Sequence, residues 1–266
     1  MSIPPPNYVE GHSLLAGKNV LVTAAAGTGI GFAAARRCVE EGASVMISDI
    51  HERRLNEAVA ELEKLSAGSA NPGRQIPSRL CDVTRESEVR SLIAAAVDAL
   101  GHIDVLINNA GLGGTANVVD MTDEQWSTVI DITLTGTFRM TRAVLPHMIE
   151  RNAGVIVNNA SVLGWRAQLG QAHYAAAKAG VMALTRCSAL EAAESGIRIN
   201  AVSPSLANHP FLAKVTPQEL LDELEAKEAF GRGAEPWEVA NVMVFLASDY
   251  SSYMTGECIS VSSQRA

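Results

Sequence analysis

A glycine cluster between a strand-like run and a helix-like run limits the fold of this chain more than any other feature. Lys18–Thr23 is apolar and rich in β-branched residues, as a buried parallel strand requires. The glycines of Thr23–Gly31 follow at once, and the helical stretch Phe32–Glu41 comes next. Glycines at such a junction let the backbone approach a pyrophosphate, and the amino end of the helix favours its negative charge. The sequence therefore predicts a first βα unit that binds a dinucleotide.

The alternation of strand and helix continues to the end of the chain. Further strands are predicted at Ser44–Asp49, Arg79–Asp82, Val105–Asn108, Gly154–Asn159, Ile197–Val202 and Glu257–Val261. Helices are predicted at Glu52–Leu65, Glu86–Leu100, Asp123–Arg151, Ala172–Glu194, Pro217–Phe230 and Pro236–Ser248, with a surface loop at Ser66–Pro77. This order is typical of an α/β, doubly wound Rossmann fold, with about seven parallel strands and helices on both faces of the sheet. We expect a single domain over residues 15–266 after a flexible N-terminal tail at residues 1–14.

Composition and charge argue against several classes of function. The net charge is −8 and the pI is near 5.3, which disfavours general binding to nucleic acid or to an anionic membrane. The first residues lack the features of a signal peptide, and there is no apolar run of about 18 residues. The four cysteines have no CxxC spacing and are interpreted as buried free thiols in a reducing compartment. We therefore expect a cytoplasmic protein without a metal site.

An acidic residue ends the second predicted strand. Asp49 lies 18 residues after Gly31, the last glycine of the cluster. A carboxylate at this place accepts hydrogen bonds from the adenosine ribose hydroxyls and repels a 2′-phosphate. The next residue is Ile50 rather than arginine, although Arg53 and Arg54 follow at the start of the predicted helix. The sequence therefore favours NAD(H) over NADP(H).

Three polar residues at fixed spacing form the candidate catalytic set. Tyr174 and Lys178 are four residues apart, which places both side chains on one face of a helix. Ser161 stands 13 residues before Tyr174 and ends the run Ile156–Ser161. A tyrosine and a lysine at this spacing are common in amphipathic helices, but the added serine at the end of a strand favours an enzyme site.

With these motifs the chain resembles the short-chain dehydrogenase/reductase family over residues 15–262. Further motifs in the family's order are Cys81-Asp82-Val83, Asn108-Asn109-Ala110-Gly111, Asn200-Ala201-Val202-Ser203-Pro204 and Tyr253-Met254-Thr255-Gly256. The resemblance implies an oxidoreductase that moves a hydride between nicotinamide and an alcohol or ketone carbon.

The resemblance also implies roles for single residues. Tyr174 would act as base in alcohol oxidation or as acid in ketone reduction, while Ser161 holds the substrate oxygen. The ammonium of Lys178 is expected to lower the pKa of Tyr174 from its ordinary value near 10 and to hold the nicotinamide ribose. The cofactor-binding positions are Thr23, Ala25, Gly27, Thr28, Gly29, Ile30, Asp49, Asp82, Val83, Asn109, Ala110, Gly111, Tyr174, Lys178 and Pro204.

The chain departs from the family pattern at several positions. Ala24 stands where the family has a glycine, and the loop is one residue longer, with Gly27 as the expected source of flexibility. Thr133 replaces the usual catalytic asparagine; it is kept as a candidate fourth member because its hydroxyl and carbonyl could serve a proton relay. His209 replaces the threonine that is expected to touch the nicotinamide carboxamide.

The segment at residues 205–233, termed the lid, is expected to close over the substrate as in the family. Trp165, Arg166 and His209 are the candidate substrate-binding residues, the arginine for an anionic group. Because members of the family pair their long helices between subunits, we expect a homodimer or a homotetramer.

The sequence of three segments points to a narrower group. Ala24–Gly31, Ala160–Ala167 and Glu235–Ala240 resemble actinobacterial reductases of steroid-ring catabolism that act on a bicyclic indane acyl-CoA thioester.

Three functional interpretations remain. The leading one is an NAD-dependent secondary-alcohol dehydrogenase. An NADPH-dependent 3-oxoacyl-type reductase is the second, and Asp49 counts against it. A non-enzymatic dinucleotide-binding regulator on the same fold is the third. The altered glycine loop allows this last interpretation, whereas the intact Ser161, Tyr174 and Lys178 oppose it.

Overall fold

The strands of this chain form one parallel sheet. The structure, a computed structural model, describes residues 2–66, 75–208 and 218–263. Within these residues the strands are β1 (Asn19–Thr23), β2 (Ser44–Asp49), β3 (Ser78–Leu80), β4 (Val105–Asn108), β5 (Gly154–Asn159), β6 (Ile197–Pro204) and β7 (Cys258–Val261). Their order in the sheet is β3-β2-β1-β4-β5-β6-β7. The order reverses between β1 and β4, which leaves a crevice at the carboxyl ends of these two strands.

Helices cover both faces of the sheet. In the described residues they are α1 (Ile30–Glu40), α2 (Glu52–Ser66), α3 (Glu86–Leu100), α4 (Asp123–Ile130), α5 (Gly136–Arg151), α6 (Ala172–Ala192), α7 (Gln218–Lys227) and α8 (Pro236–Ala247). Their buried residues recur at helical spacing, as Leu55, Ala58 and Leu62 do in α2. None of the helices in this described part of the chain is long and apolar enough to cross a membrane.

Alternate residues of the strands point to opposite faces of the sheet and divide the core in two. Val20 and Val22 of β1 join a cluster with residues of α1, α2 and α8, whereas Leu21 joins a second cluster with residues of α3 and α5. All three side chains are fully buried. Central strands are therefore apolar along their whole length, because both of their faces are covered. The predicted doubly wound Rossmann domain is confirmed.

The third strand lies one to two residues earlier than predicted. It occupies Ser78–Leu80 rather than Arg79–Asp82. Asp82 is not part of the sheet, because its N–H donates to Glu88 at 2.8 Å and its carboxylate accepts from the Thr84 N–H at 2.9 Å. These bonds form the turn that leads into α3.

The long helix predicted over Asp123–Arg151 is present, but it is not α-helical throughout. A π-helical turn at Asp131–Thr135 separates α4 from α5. Such turns insert one residue into a helix and occur often at functional sites. Of the other predicted segments, the start of the seventh helix at Thr216 and Pro217 and the loop residues 67–74 lie outside the described residues.

The N-terminal segment, predicted to be a flexible tail, makes specific contacts. The ring of Tyr8 packs edge-on against Trp237 at 5.3 Å between centroids. The N–H of Ile3 donates to the carbonyl of Phe230 at 2.8 Å, and the guanidinium of Arg232 donates to the carbonyl of Ile3 at 2.8 Å. The segment thus reaches from α8 to the end of the lid, which the sequence did not predict.

Candidate active site

A cleft of about 480 Å³ opens at the carboxyl ends of the central strands, where the strand order reverses. Doubly wound proteins bind their ligands at this position. The lining residues are Ala24, Ala26, Gly29, Ile30, Gly31, Asp49, Asn109, Gly111, Gly113, Asn159, Ser161, Val162, Leu163, Gln168, Tyr174, Lys178, Ser205, Leu206, Ala207 and Leu224. Among the described residues, no group of three or more His, Cys, Asp or Glu side chains could hold a metal ion.

The glycine loop is open in its middle and tightly packed at its end. Ala24 has a φ of +49° and Gly27 a φ of +90°, a left-handed conformation that is strained for alanine and free for glycine. Gly29 is the N-cap of α1, and no side chain in the described residues caps this helix. Its first N–H groups are therefore available to an anion. A Cβ at Gly29 would meet nothing within 4 Å, whereas a Cβ at Gly31 would collide with the Ala24 carbonyl and the Asn109 amide.

Asp49 ends β2 at the wall of the cleft and is only 7% exposed. Its carboxylate accepts hydrogen bonds from the N–H of Ala26 at 3.1 Å and from the N–H of His51 at 3.0 Å. Burial raises the pKa of the Asp49 carboxyl, and the Ala26 N–H and nearby Arg54 oppose this rise. Arg53 forms an exposed ion pair within α2. At the end of β2 the cleft is therefore lined by the acidic Asp49 and not by Arg53 or Arg54.

Ser161, Tyr174 and Lys178 line the cleft together, as the sequence predicts. Tyr174 and Lys178 project from α6, and the Lys178 Nζ lies 5.5 Å from the centre of the tyrosine ring. Lys178 Nζ donates to the backbone carbonyl of Asn159 at 2.5 Å. Ser161 follows β5; its hydroxyl accepts from the N–H of Leu163 at 3.2 Å and forms a hydrogen bond with Tyr174. This group can hold a substrate oxygen beside a proton donor.

The pKa values of the two α6 groups correct one expectation. Burial raises the pKa of Tyr174 to about 12, against a smaller lowering by the hydrogen bond with Ser161. Burial also lowers the pKa of Lys178 to about 8. The expected net lowering of the tyrosine pKa is therefore wrong, because removal from water raises this pKa and Ser161, rather than Lys178, is the group that lowers it. Tyr174 is a neutral phenol at neutral pH.

Thr133 lies inside the π-helical turn and contacts the loop after β4. Its hydroxyl accepts from the N–H of Leu112 at 3.0 Å and donates to the carbonyl of Leu112 at 3.2 Å. Its own carbonyl accepts from the Thr137 hydroxyl at 2.8 Å. Gly111 fits between Thr133 and Lys178, since a Cβ there would be 3.4 Å from Lys178 Nζ. The hydroxyl and the carbonyl of Thr133, the two groups that could serve a proton relay, thus make hydrogen bonds within the protein.

Some of the residues predicted to bind the cofactor line the cleft, and others do not. Gly29, Ile30, Asp49, Asn109, Gly111, Tyr174 and Lys178 form part of the wall. Thr23, Ala25, Gly27, Thr28, Asp82, Val83, Ala110 and Pro204 are not part of the wall as the structure describes it.

Two of the residues that do not line the cleft contact residues close to it. The buried Thr23 hydroxyl accepts from the N–H groups of Asn109 at 3.0 Å and Ala110 at 3.3 Å, which joins the ends of β1 and β4. Val83 fills the space beside Gly136 at the start of α5. Contact of this second group with the cofactor remains a prediction.

Trp165 and Arg166 line a second hollow and not the cleft itself. This hollow of about 650 Å³ is lined by residues 116–118, residues 163–172 and three alanines of α6. Leu163 and Gln168 line both spaces, so the hollow adjoins the cleft. The predicted His209 lies outside the described residues.

The cleft also contains residues that the sequence analysis did not single out. Leu206, Ala207 and Leu224 come from the predicted lid, so their region was expected although the individual residues were not. Asn159 was missed altogether. It is the last residue of β5, and its contacts with Lys178 and Asn109, 19 and 50 positions away in the chain, mark it as part of the site.

The cleft fits a nicotinamide dinucleotide at both of its ends. At one end, the uncapped amino end of α1 suits a pyrophosphate, and Asp49 suits a ribose. At the other end, Tyr174 and Lys178 can hold and move a proton at a reacting carbon. The residues present therefore match the chemistry that such a cofactor requires.

Comparison with known proteins gives consistent matches. Residues 24–263 match the family described as Enoyl-(Acyl carrier protein) reductase. The (5R,7aS)-5-hydroxy-7a-methyl-1-oxo-2,3,5,6,7,7a-hexahydro-1H-indene-carboxyl-CoA reductase of Mycobacterium tuberculosis is 62% identical over 97% of this chain and 97% of its own length. The 3-oxoacyl-[acyl-carrier-protein] reductase of Thermotoga maritima is 40% identical over 93% of this chain and 97% of its own length. A solved short chain dehydrogenase from Mycobacterium smegmatis is 57% identical, with a TM-score of 0.86 and 99% of each chain covered.

Proposed function

This chain belongs to the short-chain dehydrogenase/reductase family, and from that premise we propose that it transfers a hydride between NAD(H) and a secondary alcohol or ketone. One observation carries the proposal. Asp49 and the group of Ser161, Tyr174 and Lys178 line the same cleft as the uncapped amino end of α1. A protein that only sensed a dinucleotide would not need a proton-transfer group beside it.

Each of the three polar residues has a distinct role in the proposed reaction. When bound, the nicotinamide ring supplies or accepts the hydride. Tyr174 donates its phenolic proton to the ketone oxygen in reduction and accepts the alcohol proton in oxidation. Burial favours the neutral phenol, which is the form that donates. Ser161 donates a hydrogen bond to the substrate oxygen, and the ammonium of Lys178 stabilises the phenolate once the proton has left.

The preference for NAD(H) rests on Asp49. Its buried carboxylate ends β2 at the cleft, where a 2′-phosphate on the ribose would meet a negative charge. The hydrogen bonds from Ala26 and His51 hold this carboxylate in place. A cofactor with two free ribose hydroxyls instead offers donors to it.

We further propose a bicyclic hydroxy or oxo acyl-CoA thioester as the substrate. The support is the 62% identity to the indene-carboxyl-CoA reductase over nearly the whole of both chains. The apolar side chains of Val162, Leu163, Leu206 and Leu224 line the cleft and suit a fused hydrocarbon ring. The adjoining hollow, with Arg166 at its wall, offers room for the part of the substrate beyond the rings.

The first experiment is a fluorescence titration of the purified protein with NADH and separately with NADPH. Energy transfer from Trp126, Trp165 or Trp237 reports binding. We expect tighter binding of NADH and a loss of this preference in Asp49→Asn, which removes the charge but keeps the shape. A preference of the unaltered protein for NADPH would favour a 3-oxoacyl-type reductase.

The second experiment tests the chemistry. Turnover of the bicyclic acyl-CoA, of its free acid and of simple secondary alcohols is compared for the unaltered protein and Tyr174→Phe. We expect the largest kcat/KM for the thioester and a loss of at least about a hundredfold in the variant. Tyr250→Phe, at an exposed tyrosine, is the matched control. Dinucleotide binding without any turnover would favour a regulator instead.

A further inference from the structure

Two pairs of neighbouring asparagines face each other across the centre of the sheet. Asn108 ends β4 and Asn109 follows it directly, while Asn158 and Asn159 end the adjacent β5. Asn108 is paired directly with Asn158 in the strand register. Because neighbouring residues of a strand point to opposite faces, the two pairs build two separate hydrogen-bonded links.

The first link runs away from the cleft. Asn108 Nδ2 donates to Asn158 Oδ1 at 2.9 Å, and Asn158 Nδ2 donates to the Thr185 hydroxyl of α6 at 2.9 Å. All three side chains are buried, and none of them lines the cleft as the structure describes it. This link holds the sheet to α6.

The second link runs along the cleft and joins its two functional ends. Asn159 Nδ2 donates to Asn109 Oδ1 at 2.9 Å, and Asn109 Nδ2 donates to the carbonyl of Ala24 in the glycine loop at 3.0 Å. At its other end, the backbone carbonyl of Asn159 accepts from Lys178 Nζ at 2.5 Å. All four residues line the cleft. An unbroken chain of hydrogen bonds therefore connects the glycine loop to the ammonium group.

We propose that Asn159 is a positioning residue that fixes Lys178 relative to the dinucleotide-binding loop through Asn109 and Ala24. The inference rests on the proposed function, since it assigns Asn159 a part in the same hydride transfer. Asn159 contacts Lys178 through its backbone and Asn109 through its side chain, so one residue carries both connections.

The geometry of the link explains why small shifts would matter. A Cβ on Gly31 would collide with the Ala24 carbonyl and the Asn109 amide, so this end of the link requires a glycine at the start of α1. At the other end, a Cβ on Gly111 would lie 3.4 Å from Lys178 Nζ, so the loop after β4 passes beside the ammonium group. Loss of the Asn159 side chain breaks the link in its middle, and errors of about 1 Å in the position of a catalytic group can cost a hundredfold in rate.

The test is a double-mutant cycle with a matched control. Asn159→Ala, Asn109→Ala and the double variant are compared with Asn158→Ala, which removes an equally placed amide from the first link. The NADH dissociation constant, kcat and the KM of the alcohol or ketone are measured for each. If an alanine variant does not fold, the serine variant at the same position replaces it.

We expect Asn159→Ala to raise the NADH dissociation constant and lower kcat, each by about tenfold, and to leave the alcohol KM within about twofold. In the Asn109→Ala background the same substitution should change the dissociation constant by less than about twofold, because the link is already broken. Asn158→Ala should lower the melting temperature without changing the three constants.

Two results would overturn the inference. One is an equal effect of Asn159→Ala in both backgrounds, and the other is an equal loss in Asn158→Ala. Failure of the proposed function is seen separately, in the unaltered protein. If that protein binds NADH but turns over no alcohol or ketone, the proposed function is wrong, and the NADH dissociation constants of the variants still test the link. If it binds no dinucleotide, the proposed function and the role of Asn159 are both wrong.

Discussion

The hydroxyl of Thr133 makes hydrogen bonds with both polar atoms of the Leu112 peptide, accepting from its N–H at 3.0 Å and donating to its carbonyl at 3.2 Å. These bonds hold Gly111, Gly113 and Gly114 against α6. A Cβ on these glycines would lie 3.4 Å from Lys178 Nζ, 3.9 Å from the Tyr174 ring and 3.1 Å from His173 Nε2, respectively. Thr133 thus holds the loop that borders the candidate catalytic residues.

Removal of this hydroxyl should weaken both the fold and the site. Thr133→Val keeps the shape of the side chain but leaves the Leu112 N–H and carbonyl without this partner, so we expect a loss of about 1–2 kcal/mol in unfolding free energy. We also expect a lower kcat, because the loop beside Lys178 loosens. Urea unfolding and steady-state kinetics measure the two effects. Thr133→Ser, which keeps the hydroxyl, should resemble the unaltered protein; a valine variant that matches the serine variant would contradict this role.

Replacing the strained Ala24 of the glycine loop should raise the unfolding free energy, whereas the Thr133→Val substitution should lower it. Ala24 has a φ of +49°, which costs an alanine about 1–2 kcal/mol. Glycine adopts this conformation freely but loses more entropy on folding, by about 0.4–1 kcal/mol. Ala24→Gly should therefore raise the unfolding free energy by about 0.5–1 kcal/mol. Ala25→Gly is the control, because Ala25 has no positive φ and is fully buried.

The control should lose stability. Ala25→Gly removes a buried methyl group and adds backbone freedom to the unfolded chain, which together cost about 1 kcal/mol or more. Denaturant unfolding of the two variants compares them directly. If both variants shifted in the same direction, the strain at Ala24 would not be the cause.

The sequence predicts what depends on local pattern and leaves out what depends on distant contacts. Apolar strands such as Val105–Asn108 follow from periodicity, and the structure has this strand. The set of Ser161, Tyr174 and Lys178 follows from the resemblance to the family, and the structure places the three residues in one cleft. Local pattern does not predict the π-helical turn at Asp131–Thr135. This turn contains Thr133, whose hydroxyl contacts Leu112, 21 residues away in the chain.

The same limit applies to charge and to the chain ends. The pKa of Tyr174 depends on how much water surrounds it, which the spacing to Lys178 does not reveal. The contact between Ile3 and Phe230 joins residues from opposite ends of the chain. Neither follows from a local pattern, because each depends on the complete packing of the fold.

The buried ammonium of Lys178 should make stability depend on pH. Its pKa of about 8 in the folded protein lies below the ordinary lysine value of 10.5, which applies in the unfolded chain. Between these values the unfolded state binds a proton that the folded state lacks, so the unfolding free energy rises with pH by up to about 1.4 kcal/mol per unit. Below pH 8 both states carry the proton, and the buried charge lowers stability by its full amount.

The measurement compares the unaltered protein with Lys178→Met from pH 7 to pH 10. The methionine variant should be the more stable protein at pH 7, and its advantage should shrink as the pH rises through the window. Cys38 and Cys81, whose pKa burial raises to about 12, lower stability above pH 9, but they do so in both proteins. A gap that stayed constant with pH would mean that Lys178 is not buried as a charged group.

A buried ion pair anchors the N-terminal segment. Arg37 donates to the Glu41 carboxylate at 2.6 Å, and their side chains are 4% and 1% exposed. The same carboxylate accepts from the N–H groups of His12 at 2.8 Å and Leu14 at 3.0 Å. One buried charge therefore holds both a helix and the backbone of the segment that precedes β1.

Neutralising this carboxylate should cost far more than neutralising an exposed one. Glu41→Gln keeps the shape but leaves the Arg37 charge without its closest counter-charge in a buried place, so we expect a loss of about 3 kcal/mol. Glu57→Gln breaks the pair with Arg53, which has a similar length of 2.7 Å but side-chain exposures of 81% and 60%; the expected loss is below about 0.5 kcal/mol. Urea unfolding of the two variants at the same pH and salt concentration gives both values. Equal losses would mean that burial does not set the strength of the Arg37–Glu41 pair, and that the N-terminal segment is held by its other contacts, such as that of Tyr8 with Trp237.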